Sequence, residues 1–409
     1  MEYDILRKES NKEETNMKKG TRFLALLALL LGFCALALPG SMAETDAARL
    51  VCLNIGKADC MLLQYQNQNF LIDAGYEATY PALAEMLSQY QASRLNGVIL
   101  THCHQDHQGG LEALSQSSID VDAWYAGAYY TGVKLKKHPL VKAATRRGQE
   151  TVWLRAGDSI PVGSDGMLTV LAPLSLNEDN ENNNSLVLLF SCPAGRMLLA
   201  GDMKEEEEAA LVAAGTVLPV HVLKVGHHGG GKASTLPFLQ QAQPQMALIL
   251  TATQEETDTP AQSTLQNLRT LGCETYVSQD FQDALEVTLA NGQAKIWDVA
   301  WEGVPARAQD ILLSMNAEAD TLTIQNSGGE DVSLAGWTVY STKGNETLTL
   351  PEVTLSAGAS YCIGSRATET ACDLRWDEKR VWHETKRDQA ILYDAYGRPV
   401  AYADNGIAE

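Results

Sequence analysis

Thr101-His102-Cys103-His104-Gln105-Asp106-His107-Gln108-Gly109-Gly110 gathers three of the chain's eight histidines and an aspartate, spaced H-x-H-x-D-H. The apolar run Asn96-Gly-Val-Ile-Leu-Thr101 before it reads as a short buried strand. Gly109-Gly110-Leu-Glu-Ala-Leu after it reads as the start of a helix. The four side chains are therefore expected on a strand-to-helix loop, where backbone turns can aim several groups inward. Imidazole and carboxylate together suit Zn²⁺ and related ions. Such a loop can give His102 and His104 to one ion and Asp106 and His107 to a second.

Further motifs flank this stretch in a fixed succession: Gly56-Lys-Ala-Asp59-Cys-Met-Leu-Leu, Phe70-Leu-Ile-Asp73-Ala-Gly75, Gly201-Asp202 and Leu223-Lys-Val-Gly-His227-His228-Gly229. With H-x-H-x-D-H, the succession resembles the metallo-β-lactamase fold superfamily. In detail it looks most like the metallo-β-lactamase-like domain of the competence DNA-uptake protein ComEC and its free-standing relatives. The resemblance covers roughly residues 48 to 298 and implies an αββα sandwich. It also implies two divalent ions, Zn²⁺ with Mn²⁺ as the alternative, and hydrolysis by a metal-activated water.

Roles carry over residue by residue. His102, His104, Asp106, His107, Asp202 and His228 are the implied metal ligands, with Asp202 between the ions. Asp106 and Asp202 would orient the nucleophile. His227 is the alternative ligand to His228 and a candidate proton donor. Asp73 is expected to orient the metal loop from below, with Asp59 close by. Many superfamily members place a third histidine before the strand that here follows Asn182-Asn183-Asn184-Ser185; the ComEC-like branch has asparagines there, and Asn183 is the candidate near the first ion. Lys232 and Ser234 are expected against phosphate oxygens. The branch's Gly-His-Pro is replaced by Glu256-Thr-Asp-Thr-Pro260, which lacks the histidine. Glu205–Glu208 reads as a solvated helix start.

At 409 residues the chain should hold two domains. Lys18, Lys19 and Arg22 precede an apolar run to Leu38, then Pro39-Gly40 and the small residues around Ala43. This is the layout of a signal peptide over residues 1–43, with Met17 as the alternative start. Cleavage after Ala43 implies secretion; without cleavage the run would anchor the chain in a membrane. Residues 46–300 are expected to form the catalytic domain and 301–310 a linker. From 311 to 405 the pattern becomes strand alternation with Gly, Asn and Asp turns, an immunoglobulin-like all-β sandwich. Ile324-Gln-Asn-Ser-Gly328, Leu334-Ala-Gly-Trp337 and Ala390-Ile-Leu-Tyr-Asp394-Ala-Tyr-Gly397 resemble the lamin-tail domain, which implies a cell-surface or polymer ligand.

The net charge of −20 counts against broad nucleic-acid affinity. It does not exclude a phosphodiester substrate, because two divalent ions reverse the local charge. Tyr125, Tyr129, Tyr130, Lys134, Lys136, Lys137, His138, Lys142, Arg146 and Arg147 form the one basic, aromatic segment. They either grip phosphates and stack bases or form a solvated helix with its aromatics in the core. Most cysteines lie in apolar runs as small core residues, Cys103 is expected to point away from the metals, and Cys362 and Cys372 can pair. The favoured function is a phosphodiesterase or nuclease, with DNA as a candidate substrate. A cell-envelope phosphoryl-ester or phosphorylcholine esterase and a non-catalytic binding protein on a decayed hydrolase fold are the alternatives.

Overall fold

The computed structural model describes residues 47–407; the expected signal peptide lies outside them. Two sheets carry the N-terminal part. From edge to edge the first holds Gln293–Val299, Ala284–Ala290, Ala48–Leu53, Met61–Tyr65, Gln68–Ile72, Gly97–Leu100, Trp124–Gly127 and Thr151–Leu154. The second holds Glu274–Val277, Met246–Ile249, Val222–Lys224, Gly195–Leu199, Val187–Cys192, Gly166–Ala172 and Ser159–Val162.

Strand alternation sorts the side chains into layers. Leu50 and Cys52 join Leu188, Phe190, Met197 and Leu248 in a core between the sheets. Val51 and Leu53 face the other way, with Leu83, Met86 and Leu87 of the helix Tyr80–Gln89. Val187 and Leu189 pack beneath the helices Glu205–Ala214, Leu236–Ala242 and Gln262–Thr270. This is the helix–sheet–sheet–helix layering expected from the sequence.

Parallel pairing places the functional loops. Gln68–Ile72 runs parallel to Gly97–Leu100, and Gly195–Leu199 parallel to Val222–Lys224. Their carboxyl ends therefore open on one edge, where ligands of such sheets bind. Asp73, the 101–108 stretch, Asp202 and the His227-His228 pair all follow these ends.

The later residues form many strands. One sheet holds Ile311–Asn316, Thr321–Asn326, Ser360–Gly364 and Leu374–Arg375; another holds Thr347–Thr349, Thr338–Ser341, Gln389–Tyr393 and Pro399–Asp404. Alternation in Gln389–Tyr393 splits its burial. Ala390 and Leu392 enter a local core with Trp337, Trp376 and Trp382, whereas Ile391 and Tyr393 join Tyr340 in the core of the N-terminal part. Tyr76 and Tyr340 meet with ring centres 4.9 Å apart. Arg398 bridges the buried Asp394 and Asp283. Segment 301–310, expected as a linker, is tied down: Trp301 is buried, and Arg398 donates to the Pro305 carbonyl.

Candidate metal centre

Asp106 and His107 do not lie on an open loop. They sit on a single helical turn, Gln105–Gln108, entered from His104 in an extended conformation. This turn swings His107 under the site and leaves His102 and His104 side by side, His102 Nε2 3.0 Å from His104 Nδ1. Asp202 stands opposite. Its Oδ2 lies 3.3 Å from His107 Nε2, 3.5 Å from His228 Nε2 and 3.8 Å from His102 Nε2. Two donor clusters result, Asp106–His107–Asp202–His228 and His102–His104–Asp202, with the donor atoms of each within 4.8 Å of one another. Asp202 belongs to both.

One buried carboxylate orients both clusters. Asp73 accepts from His107 Nδ1 at 2.8 Å and from the Thr101 hydroxyl at 2.7 Å. The same hydroxyl lies 3.2 Å from His102 Nδ1 and can accept its proton. The Nε2 atoms of His102 and His107 are thereby turned to the centre, the arrangement that fixes a metal-binding imidazole. The Thr101 backbone N–H also donates to Asp73. His228 is set in a similar way, Nδ1 against the Leu250 carbonyl at 2.8 Å and Nε2 3.1 Å from Asp106. His227 and His228 both have positive φ, 48° and 52°. Two consecutive non-glycine residues in that region cost about 1–2 kcal/mol each and splay the two rings apart.

The electrostatics favour a cation here. Burial alone would depress His107, yet the carboxylates of Asp202, Asp106 and Asp73 outweigh it and hold its pKa well above the ordinary value. His228, also buried, is pushed up to about 9 by Asp202 and its bond to Asp106. Burial would raise Asp202, but His228 and His107 hold it well below the usual carboxylate range. His107 Nε2 and Asp202 Oδ1 are buried without a hydrogen-bond partner. Mixed imidazole and carboxylate donors with buried, unpartnered atoms aimed inward fit Zn²⁺ or Mn²⁺ better than the all-oxygen sites of Ca²⁺ and Mg²⁺.

The metallo-beta-lactamase superfamily model matches residues 53–252, which contain the whole donor set. These residues form a metallo-beta-lactamase superfamily domain. ComE operon protein 3 of Bacillus subtilis (strain 168) is 28% identical over 235 residues, 53% of this chain and 30% of that protein. Competence protein ComA of Neisseria gonorrhoeae is 26% identical over 296 residues, 70% of this chain and 39% of that protein. The chain thus spans about a third of the length of these curated relatives. Among solved structures, the diiron β-hydroxylase CmlA from Streptomyces venezuelae is 15% identical, with 61% of this chain and 55% of that chain covered and a TM-score of 0.42.

Around the metallo-beta-lactamase centre several sequence expectations change. The amide of Asn183 is already engaged: its oxygen accepts from the Lys204 N–H at 2.9 Å and its nitrogen donates to Glu206. Asn184 is bonded to Asn177 and Glu181. Asn182 alone of the three has a buried, unpartnered amide oxygen. Glu205–Glu208 is not simply a solvated helix start. Glu207 and Glu208 are buried, Glu208 accepting from the Ser234 and Thr235 N–H groups and Glu207 from that of Leu174. Ser234 is itself fully buried in that loop, rather than open to a phosphate, while Lys232 is exposed. Burial pushes the His227 imidazole down to about 4. Its neutral form is thereby favoured. Cys103 turns away and packs against the cluster that holds Val51, Leu53 and Leu83.

Three residues escaped the sequence reading. Lys224, fully buried in the apolar strand Val222–Lys224, touches Asp59 and donates to the Gly201 carbonyl at 3.0 Å. A lysine inside Val-Leu-Lys-Val was the available signal, since a buried ammonium needs a carboxylate. Asp59 is thus the counter-ion of Lys224. Ser185 accepts from the Asp202 N–H and holds that turn. Glu255 lies in the loop that lacks the family's histidine. It is buried, accepts from the Lys57 N–H and from Tyr76, and carries no sequence signal beyond its place.

Proposed function

We propose that the chain is a secreted, metal-dependent phosphodiesterase that cleaves nucleic-acid strands. The observation that carries the reading is the convergence of three imidazole Nε2 atoms on one carboxylate oxygen of Asp202. Two divalent ions held there would lower the pKa of a shared water and stabilise charge on the attacked ester. Asp106 and Asp202 orient that water, and Asp73 keeps His102 and His107 pointed at it. His227, neutral at the edge of the centre, serves as a hydrogen-bond partner. Lys57, Lys204 and Lys232 lie on loops beside the centre. The Lys232 carbonyl accepts from the Glu205 N–H at 2.8 Å, which sets Lys232 next to Lys204. Lys57 is paired with Glu256, and the Lys204 and Lys232 ammonium groups suit an anionic substrate.

The name of one relative refers to competence, and the stretch where the resemblance expects a third histidine carries asparagines instead. Both support a phosphodiester over a β-lactam. The signal-peptide pattern expected over residues 1–43 supports secretion, and the C-terminal sheets are proposed as a lamin-tail-type module that holds the enzyme near a surface or polymer. The test supplies Zn²⁺ or Mn²⁺ to the purified chain and follows bis-p-nitrophenyl phosphate and DNA, with Asp202→Ala as control. Cleavage of both, lost in the control, is expected. Cleavage of the small diester alone moves the reading to an envelope esterase. No cleavage by the metal-loaded chain contradicts it.

A further inference from the structure

On the reverse side of the ligand-bearing turn lies a separate cavity of about 340 Å³. Gln105 and Gln108 line it, three residues apart and so on one face of their helical turn. Asp106 and His107, between them, point to the metal centre. Lys137, Lys142 and Arg146 line the other side. The helix Pro139–Arg146 buries Leu140, Ala143 and Ala144, and Lys142 and Arg146, four residues apart, share its exposed face.

Two carboxylates, Glu77 and Glu112, also line the cavity. Arg146 is paired with Glu112 at 2.8 Å. Among the described residues Lys137 and Lys142 have no ion-pair partner. The wall that carries them is fixed from behind. Tyr130 stacks on Trp153 at 5.5 Å, and buried His138 meets both rings edge-on at 4.9 and 5.2 Å. Those rings are consumed by packing, so the cavity offers ammonium and amide groups but no face on which a base could stack.

Resting on the phosphodiesterase reading, we propose that this cavity holds the phosphate backbone of a single nucleic-acid strand whose scissile phosphate lies at the metals. Lys137 and Lys142 take the phosphates, and the Gln105 and Gln108 amides donate to their oxygens. One helix diameter, about 10 Å, separates the two faces of the turn. The phosphates held there are therefore near neighbours of the scissile one. The contact reads backbone charge and not sequence.

The test measures binding of the full chain to a fluorescent twelve-nucleotide phosphorothioate single strand, by anisotropy at graded KCl. Lys137→Ala/Lys142→Ala is expected to bind about tenfold more weakly. Its plot of log affinity against log salt should be shallower by about 1.4, since each lost phosphate contact on a single strand removes about 0.7. Lys137→Arg/Lys142→Arg should keep the wild-type slope, which separates lost charge from damaged folding. Wild-type affinity and slope in the double alanine variant would overturn the proposal. So would displacement of the strand by poly(glycerol phosphate) as readily as by unlabelled strand. Hydrolysis of bis-p-nitrophenyl phosphate is scored separately. A chain inactive on it that still shows the slope change supports the cavity and sinks the phosphodiesterase reading.

Discussion

The two halves of the metal centre are built to different standards. Asp106–His107–Asp202–His228 supplies four donors, two of whose rings are locked from behind by Asp73 and the Leu250 carbonyl. His102–His104–Asp202 supplies three, and the two histidines lean on each other. The stretch expected to carry a further histidine has asparagines instead, two of them bonded elsewhere. The difference teaches that one ion should be structural in its tenacity and the other exchangeable. Among the described residues Asp202 is the donor common to both.

Asp202→Ala should therefore abolish the contrast altogether. Both ions are lost, and because metal stabilisation of the transition state is worth several kcal/mol, kcat/KM should fall by about 10³-fold or more; metal analysis beside kinetics checks it. His228→Ala and His104→Ala should split the halves. The first should cost the tight ion more than about 100-fold in affinity, a larger loss than an outer partner gives. The second should leave that ion in place and lose only the weaker one, read by metal content after dialysis against a mild chelator.

Lys224→Met probes what lies beneath both halves. It leaves Asp59 buried without its counter-ion, a loss of about 3–5 kcal/mol, visible as a lowered denaturation midpoint. Asp73→Asn is the smallest change and the sharpest for the comparison. Because Asp73 reaches His107 directly and His102 through Thr101, it should weaken both ions, each by about 10–100-fold. Weakening of one ion alone would show that the Thr101 relay does not operate.

How much of this was legible in the sequence differs by residue. The donors themselves were, because H-x-H-x-D-H and His227-His228-Gly229 concentrate rare residue types at strand ends. The layering was too, since alternation in runs such as Leu50–Leu53 dictates two buried faces. The single turn at Gln105–Gln108 was not, because four residues are too few for a helical period to show. Which of the asparagines keeps a free amide oxygen was not legible: adjacent identical residues differ only in which way the 3₁₀ turn at Glu181–Asn184 aims them. The burial of Glu207 and Glu208 also escaped notice, as their partners are backbone N–H groups of distant loops. So did the shared core around Tyr76 and Tyr340, because alternation in Gln389–Tyr393 shows two apolar faces without showing what the second one meets.

The most direct test of the unequal centre is a metal titration of the ion-free chain, with Zn²⁺ binding measured by calorimetry and hydrolysis of bis-p-nitrophenyl phosphate followed at each step. Two sites of distinct affinity are predicted, with activity rising only as the weaker one fills. Two sites of equal affinity, or full activity after the first equivalent, would contradict the account.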